Sequence, residues 1–553
     1  MARWRNREGG LGYIFYDTET TGLDAGFGQI LQFAALVTDD DLNVVEEVNL
    51  RCRLQTHVLP TPGALVITGI RPTEIEQAPL SHYEMIRAIR ELIERHAPSA
   101  VVGFNSLGYD EAMLRQAFYQ TLNPVYLTNT GGNTRMDMLR VAHAVSQYAP
   151  DVLVVPTTAE GRPTFKLALL AAANGLLHDR AHDAMSDSLA TLELARLVRN
   201  KAPAVWDAMR QMRSKQAAGD FIARNDLFWF TDMAFGTPTI LAAKIATNPD
   251  NPSEVAVFDL GHDPASYLDM ACESVQGLLK ASPRRVRIVK LNSQPILMPL
   301  SMPPASGGDA DIVLAHQRSQ LIADHPAFRQ AVAKSLALRY PERDPATYVE
   351  QRIYDGFPSR ADANLMERFH SIPWSERPAV VARLADERIR ELGERLIYLE
   401  APEVLSADAR SKFDDWRRSR LTSDTAAPWF GLAAAWEDLA RQRTKLGEES
   451  GEQLAEIEGY LNRVSQEIAD GAGQSRFVWT PGDVTVSLAE RSGTEDGTSN
   501  EMFYLDENGQ KQDRELCEEL LGDDVMDPNF DFSDPEVVAY WNRVWAEEPP
   551  EGE

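Results

Sequence analysis

Residues 12–24 read Gly-Tyr-Ile-Phe-Tyr-Asp-Thr-Glu-Thr-Thr-Gly-Leu-Asp, an apolar run that ends in acid. The aromatic and β-branched stretch Tyr13 to Tyr16, bounded by Gly12, has the composition of a strand inside a sheet. Side chains alternate along a strand, so Asp17 and Glu19, at i and i+2, share one face within several ångströms of each other. Two such carboxylates repel, and a divalent cation bound through oxygen resolves the conflict. A solvated strand end can carry the same Asp-x-Glu, so the remainder of the chain has to decide.

Two later segments bear on that choice. Residues 100–118 pass from an apolar strand through Phe104 and Asn105 into a helical pattern carrying Met113, Leu114, Ala117 and Phe118, and Asp110 opens the helix. The commonest use of Asp at that place is as a cap. Farther on, Ala181-His182-Asp183 precedes a helix through Leu189, Leu192, Leu194 and Leu197. Asp183 is the candidate cap there, Asp187 lies one turn inside, and His182 sits on the approach loop. Each feature has an ordinary structural reading by itself, but not four of them in this order.

The order Asp-x-Glu, then Asp, then His-x4-Asp resembles the DEDDh exonucleases of the ribonuclease H-like superfamily, over roughly residues 11–200. The stretch Pro60 to Ile75 is similar to the segment between the first two motifs of that family. Within the superfamily the chain most resembles the bacterial exonuclease I family. That likeness rests on Asn133-Thr134-Arg135 with Asp137, Phe165-Lys166-Leu167, Ala173-Asn174-Gly175 and Tyr354-Asp355-Gly356-Phe357. The resemblance implies 3′ to 5′ hydrolysis of single-stranded DNA to 5′-mononucleotides, processive, in DNA repair or recombination. It implies Asp17, Glu19, Asp110 and Asp187 as ligands of two Mg²⁺ ions, with Mn²⁺ as a substitute and Asp17 bridging. His182 becomes the general base, since imidazole titrates near neutral pH. Thr20, Thr21 and Gly22 would line the pocket for the terminal nucleotide, Phe104 and Asn105 would wall it, and Arg135 and Lys166 would also touch substrate.

The resemblance further implies an α/β chain in four parts: a ribonuclease H-like mixed-sheet nuclease domain (1–202), an SH3-like β-rich domain (203–352), a helical domain (353–475) and an acidic C-terminal extension (476–553). The residues agree with that outline. Phe228 to Phe230, Thr239 to Leu241, Val255 to Phe258 and Val286 to Leu291 read as strands. Arg285 and Arg287 share a face, with Lys290 at the end, a pattern suited to a phosphate backbone or simply to a charged outer face. Phe228 to Phe230 could stack bases, although aromatic strands are more often core. Ile389, Leu392, Leu396 and Leu399 mark an amphipathic helix, and a second long helical pattern runs from Trp429 to Ile468. These helices are expected to pack on both earlier domains. Arg417, Arg418, Arg441, Arg443 and Lys445 are their candidate backbone contacts.

Composition narrows the class. At 553 residues the chain exceeds one core, and 44% hydrophobic with 25% charged residues is ordinary globular usage. Cys52, Cys272 and Cys517 are too few and too scattered for a disulfide framework or a cysteine zinc site, which points to a reducing cytoplasm. The basic start MARWRNREGG has no apolar run after it, so neither a signal peptide nor a membrane span is expected. A net charge of −28 argues against a nucleic-acid partner until its location is considered. Residues 476–553 hold 21 Asp and Glu against 5 Lys and Arg, more than half of the excess. The tail also carries strand-like pieces at Val484 to Val486 and Met502 to Leu505, and a capping box at Ser533 to Glu536. It reads either as a solubilising segment or as an arm that imitates nucleic acid.

The expected partners are single-stranded DNA and a single-stranded DNA-binding protein, with the enzyme a monomer. Two rival functions remain: a DEDDh exonuclease acting on RNA or in proofreading, and a catalytically silent DNA-binding scaffold.

Overall fold

The computed structural model describes residues 12–159, 161–176, 183–233, 238–270, 272–306, 311–339, 346–424, 426–447 and 451–471, with the backbone of 504–505 and 511–512. The Val484 and Ser533 segments of the tail lie outside the described residues. Tyr504–Leu505 and Lys511–Gln512 pair as an antiparallel two-stranded ribbon.

The first region is built on a five-stranded mixed sheet. Its strands are β1 (Gly12–Thr20), β2 (Ile30–Thr38), β3 (Val44–Arg51), β4 (Ser99–Gly103) and β5 (Thr134–Asp137), in the order β3-β2-β1-β4-β5. β1 is therefore central, antiparallel to β2 and parallel to β4. The two-residue alternation of β1 sorts its side chains between two cores. Tyr13 and Phe15 share one with Leu192, Leu194 and Val198 of the helix Ala184–Lys201. Ile14 and Tyr16 share the other with Ile86 and Ile89 of the helix His82–Arg95 and with Met113 and Leu114 of the helix Asp110–Gln120. Each such side chain contributes about 1.5–3 kcal/mol when fully buried, so the sandwich fixes where β1 ends.

The second region is a five-stranded antiparallel sheet. Its strands are β6 (Phe228–Thr231), β7 (Thr239–Thr247), β8 (Glu254–Asp259), β9 (Val286–Lys290) and β10 (Ile296–Pro299), in the order β10-β6-β7-β8-β9. Trp229, Leu241, Phe258 and Met298 join the same core as Phe15, so the two sheets are bound through one apolar interior. Phe228 and Phe230 face Ala218 and Ile222 of the helix Lys215–Arg224. The aromatic strand is buried on both faces and offers no ring to a base.

The third region is helical, and its two cores both reach the first region. Phe369, Ile389, Leu392 and Leu396 pack with Tyr83, Tyr119 and Leu122, while Leu432, Leu439 and Leu454 pack with Leu31, Leu59 and Leu65. Among the described residues neither core takes a side chain from β6 to β10, while Val349, from the expected 203–352 region, joins the first. The pattern from Trp429 to Ile468 also proves to be two helices, Leu432–Leu446 and Gly451–Gly471. Gly447 ends the first at φ 63°, a left-handed conformation that glycine adopts without strain.

Polar contacts fix the seam. Arg90 forks onto both oxygens of Glu367 at 2.7 and 2.8 Å, and the amide of Gly63 donates to Asp438 at 2.8 Å. Deeper in the helical layer, one oxygen of buried Glu350 accepts from Arg395 at 2.5 Å and Arg420 at 2.6 Å, and Arg420 also lies 3.8 Å over the Trp429 ring. Removing one member of a buried ion cluster leaves charge uncompensated, so Arg420→Ala should cost about 3–5 kcal/mol. Urea unfolding followed by tryptophan fluorescence checks this, and a change within about 0.5 kcal/mol, typical of surface sites, would show that the cluster does not hold the layer together.

Candidate active site

The acidic end of β1 is where three elements meet. Asp17 and Glu19 project toward the helix Ala184–Lys201, and Asp187 in its first turn comes to meet them. One carboxylate oxygen from each of Asp17, Glu19 and Asp187 lies within 4.8 Å of the others. Asp183 caps that helix by accepting from the amides of Met185 and Ser186, which sets Asp187 one turn inside. Asp110 arrives from the opposite side of the sheet. Tyr109 holds the cap position, so Asp110 is the first helical residue and its side chain is free to turn toward β1. The hydroxyl of Thr18, between the two β1 acids, donates to Asp110 at 2.5 Å.

Burial and mutual repulsion dominate the electrostatics. Desolvation, then the charges of Asp110 and Asp187, push the Asp17 carboxyl well above the usual carboxylate range. Desolvation and Asp187 do the same to Glu19. Burial raises Asp110 to about 7 even though the Thr18 hydrogen bond favours its ionised form. Arg51 offsets part of this at Glu19, but it bonds Asp183 at 3.4 Å and Glu74 at 3.0 Å. Buried carboxylates crowded this way are the donor set of hard divalent cations, and the residues present fit that group.

A second tier holds the loop that delivers Asp110. Fully buried Asp137 accepts from the amides of Asn105 at 2.8 Å, Leu107 at 3.2 Å and Leu139 at 2.9 Å. Asn105 takes a left-handed φ of 58° there. Glu111 accepts from Thr128 at 2.9 Å and Arg135 at 3.2 Å. Tyr109 donates to the carbonyl of Gly22 at 2.8 Å and shares a 2.5 Å hydrogen bond with the Thr20 hydroxyl. Gly22 is required where it stands, because a Cβ would meet Thr61 Cγ2 at 2.9 Å. Thr18, Tyr109 and Glu111 escaped the sequence reading. The signal was adjacency alone, since each flanks a residue that was singled out.

The remaining sequence candidates are more scattered. Thr20 and Thr21 are buried, and the carbonyl of Thr21 is occupied by the Thr61 amide at 2.7 Å. Phe104 is half-buried against the core and Lys166 is half-buried before the helix Leu167–Ala173. The Arg135 guanidinium spans Glu111 and the carbonyl of Asn292 at 3.1 Å, which ties the first region to the second. Arg287 is paired with Asp232 at 2.5 Å and is only 14% exposed. Arg285 donates to the Pro283 carbonyl at 2.9 Å, and Lys290 closes β9 opposite Glu254. Among the helical candidates, Arg417 donates to the Thr56 carbonyl at 2.9 Å, Arg418 pairs with Asp415 at 3.1 Å, Arg441 with Asp438 at 3.2 Å and Arg443 with Glu458 at 2.6 Å. His182 lies outside the described residues.

Comparison with known proteins coincides with this arrangement. An exonuclease family model matches residues 14–195, and an exonuclease I C-terminal domain model matches residues 347–464. The chain is thus similar to an exonuclease in its first region and to exonuclease I in its helical region. Exodeoxyribonuclease I of Escherichia coli strain K12 is 28% identical over 430 residues, 74% of this chain and 90% of that relative. Its namesake from Haemophilus influenzae is 28% identical over 433 residues, 74% of this chain and 89% of its own. An exonuclease I from Methylocaldum szegediense has the same fold at a TM-score of 0.73 and 25% identity, covering 83% of this chain and 99% of that one. The E. coli exonuclease I solved in complex with a dA16 oligonucleotide matches at a TM-score of 0.74 and 24% identity, covering 83% of this chain and all of its own.

The weakened acidity of these carboxyls has a consequence for stability. A carboxyl protonated more readily when folded than when unfolded stabilises at low pH and loses that contribution as pH rises through the folded value, here about 7 for Asp110. In the metal-free protein, Asp110→Asn should therefore raise the unfolding temperature at pH 8 more than at pH 5. Calorimetry in chelator checks this, and an equal or opposite change at the two pH values would contradict the repulsion.

Proposed function

We propose that this chain hydrolyses single-stranded DNA from its 3′ end and releases 5′-mononucleotides. The observation that carries the reading is the convergence of Asp17, Glu19 and Asp187, within 4.8 Å, on a fold shared with exonuclease I. Asp17, Glu19 and Asp187 would hold one divalent ion, with Asp17 shared and Asp110 serving the second. When bound, two Mg²⁺ ions would supply charge neutralisation at the scissile phosphate and would acidify the attacking water. Mn²⁺ suits the same oxygen ligands.

The chain's own residues do the rest. Thr18 and the Asp137-held loop keep Asp110 aimed at the strand end. His182 accepts the proton of the attacking water, a task suited to an imidazole with its ordinary acidity near 6.5. The loop from Thr20 to Gly22, pinned by Tyr109, borders the place where the terminal nucleotide would lie. Lys166, Arg285 just before β9 and Lys290 at its end remain candidates for the farther backbone, and the three regions together would keep the strand between cuts.

The enzyme would work as a cytoplasmic monomer in DNA repair or recombination, with a single-stranded DNA-binding protein as the natural presenter of substrate. The match of residues 347–464 to an exonuclease I domain favours DNA over the RNA and proofreading rival. The crowded carboxylates disfavour a silent scaffold, which would have no use for their repulsion. Among the described residues no helix is long and apolar enough to cross a membrane.

Digestion of end-labelled single-stranded DNA in Mg²⁺ tests the proposal. Wild type should shorten a 5′-labelled strand progressively and release mononucleotides, and Asp187→Ala should lose at least about 10³-fold in rate, since a metal ligand supports several kcal/mol of transition-state stabilisation. Equal activity of the variant, or digestion of RNA in preference to DNA, would reject it.

A further inference from the structure

Arg51 ends a row of side chains that crosses the first sheet. Glu19 of β1 lies opposite Gln32 of β2, and Gln32 lies opposite Arg51 of β3, so the three share the face turned toward the helix Ala184–Lys201. The guanidinium is held from two sides. Its Nη2 donates to Gln32 Oε1 and to Asp183 Oδ2, both at 3.4 Å, and its Nη1 donates to Glu74 at 3.0 Å. Glu74 belongs to the short helix Pro72–Glu76, which is fastened to the helix Gly451–Gly471: the Thr73 hydroxyl donates to Glu456 at 2.7 Å, and Arg463 donates to Glu76 at 2.8 Å.

Asp183 is the residue that needs this cation. Its Oδ1 accepts from the amides of Met185 at 3.2 Å and Ser186 at 3.3 Å, which caps the helix carrying Asp187. Its charge also adds to the repulsion at Asp17 and Glu19, yet it stands outside the three carboxylates that close to within 4.8 Å. A divalent ion would neutralise those three and leave the cap unserved. Asp183 therefore depends on the helix N-terminus at one oxygen and on Arg51 at the other. Ion pairs as open as this one, at 36% and 25% exposure, contribute little to stability, so its worth lies in where it seats the helix.

We propose that Arg51 is a positioning residue of the active site: it neutralises the Asp183 cap on the side away from the helix amides and so seats the first turn of Ala184–Lys201, where Asp187 meets Asp17 and Glu19. The inference rests on the reading of these acids as a metal site for strand hydrolysis, and it extends that reading to a residue outside the ligand set. Two effects of Arg51 on a bound cation have opposite signs. A positive charge beside the acids repels the ion, so loss of that charge alone would tighten metal binding. Loss of a group that orients a ligand weakens it, typically by about 10–100-fold. The positioning role requires the second effect to win.

A double-mutant cycle on the full-length protein tests it, with wild type, Arg51→Ala, Asp183→Asn and the double variant. Asn caps a helix as well as Asp but carries no charge, so beside it Arg51 has nothing to neutralise. Mn²⁺ affinity is read by isothermal titration calorimetry, and digestion of single-stranded DNA in Mg²⁺ gives kcat and KM. Arg51→Ala should weaken Mn²⁺ binding about ten-fold and lower kcat by a similar factor, with KM for the strand within about two-fold of wild type. The same substitution in the Asp183→Asn background should change affinity and kcat by less than about three-fold. Unchanged or tighter Mn²⁺ binding in Arg51→Ala, an equal loss in both backgrounds, or a raised KM in place of the lowered kcat, the mark of a contact with the strand, overturns the assignment. So does a fall of more than about 5 °C in the metal-free unfolding temperature of Arg51→Ala, the mark of general loosening. If wild type fails to digest DNA, the functional reading fails, and the Mn²⁺ cycle by itself decides for or against Arg51.

Discussion

Repulsion among carboxylates at the buried end of β1 is the constraint on which the rest of the structure depends. Asp17 and Glu19 are brought together by strand geometry, Asp187 by a capped helix on one face of the sheet and Asp110 by a helix on the other. None of the four can move away without unpacking Tyr13, Phe15, Ile14 or Tyr16 from the two cores that sandwich the strand. The apolar energy of the sheet thus holds charge where it is least comfortable, and a divalent cation is the species that relieves it.

The supporting polar groups follow from the same logic. Thr18 points away from Asp17 and Glu19, which is why it can reach Asp110 at 2.5 Å. Asp137 gathers three amides of the loop and helix around it, and Arg135 ties Glu111 to the second region. The second and third regions are both packed on the first, so the nuclease sheet is the common floor of the molecule.

The local periodicities were legible in the sequence. The alternation of residues 12–19, the Asp183 cap and the stripe Ile389, Leu392, Leu396 each depend on neighbours a few positions away, and each stands in the structure as the pattern implies. The partners of charged side chains were not legible. Arg135 and Arg287 looked like phosphate contacts because their partners, Glu111 and Asp232, come from other elements, and a sequence shows a charge without showing what neutralises it. Gly447 did carry the signal that splits the long helical pattern, a glycine able to adopt positive φ, but hydrophobic period alone runs straight through it. The acidic balance was a matter of location, since most of the excess lies in residues 476–553.

Proton release on metal binding tests the central claim most directly. If Asp17, Glu19 and Asp110 are held protonated by burial and crowding, titrating the metal-free protein with Mn²⁺ at pH 6 must expel protons. Isothermal titration in buffers of different ionisation enthalpy measures that number. The account predicts net proton release at pH 6 that diminishes toward pH 8.5, and its loss with the binding itself in Asp17→Asn. Binding without proton release at pH 6, or binding undiminished in Asp17→Asn, would contradict it.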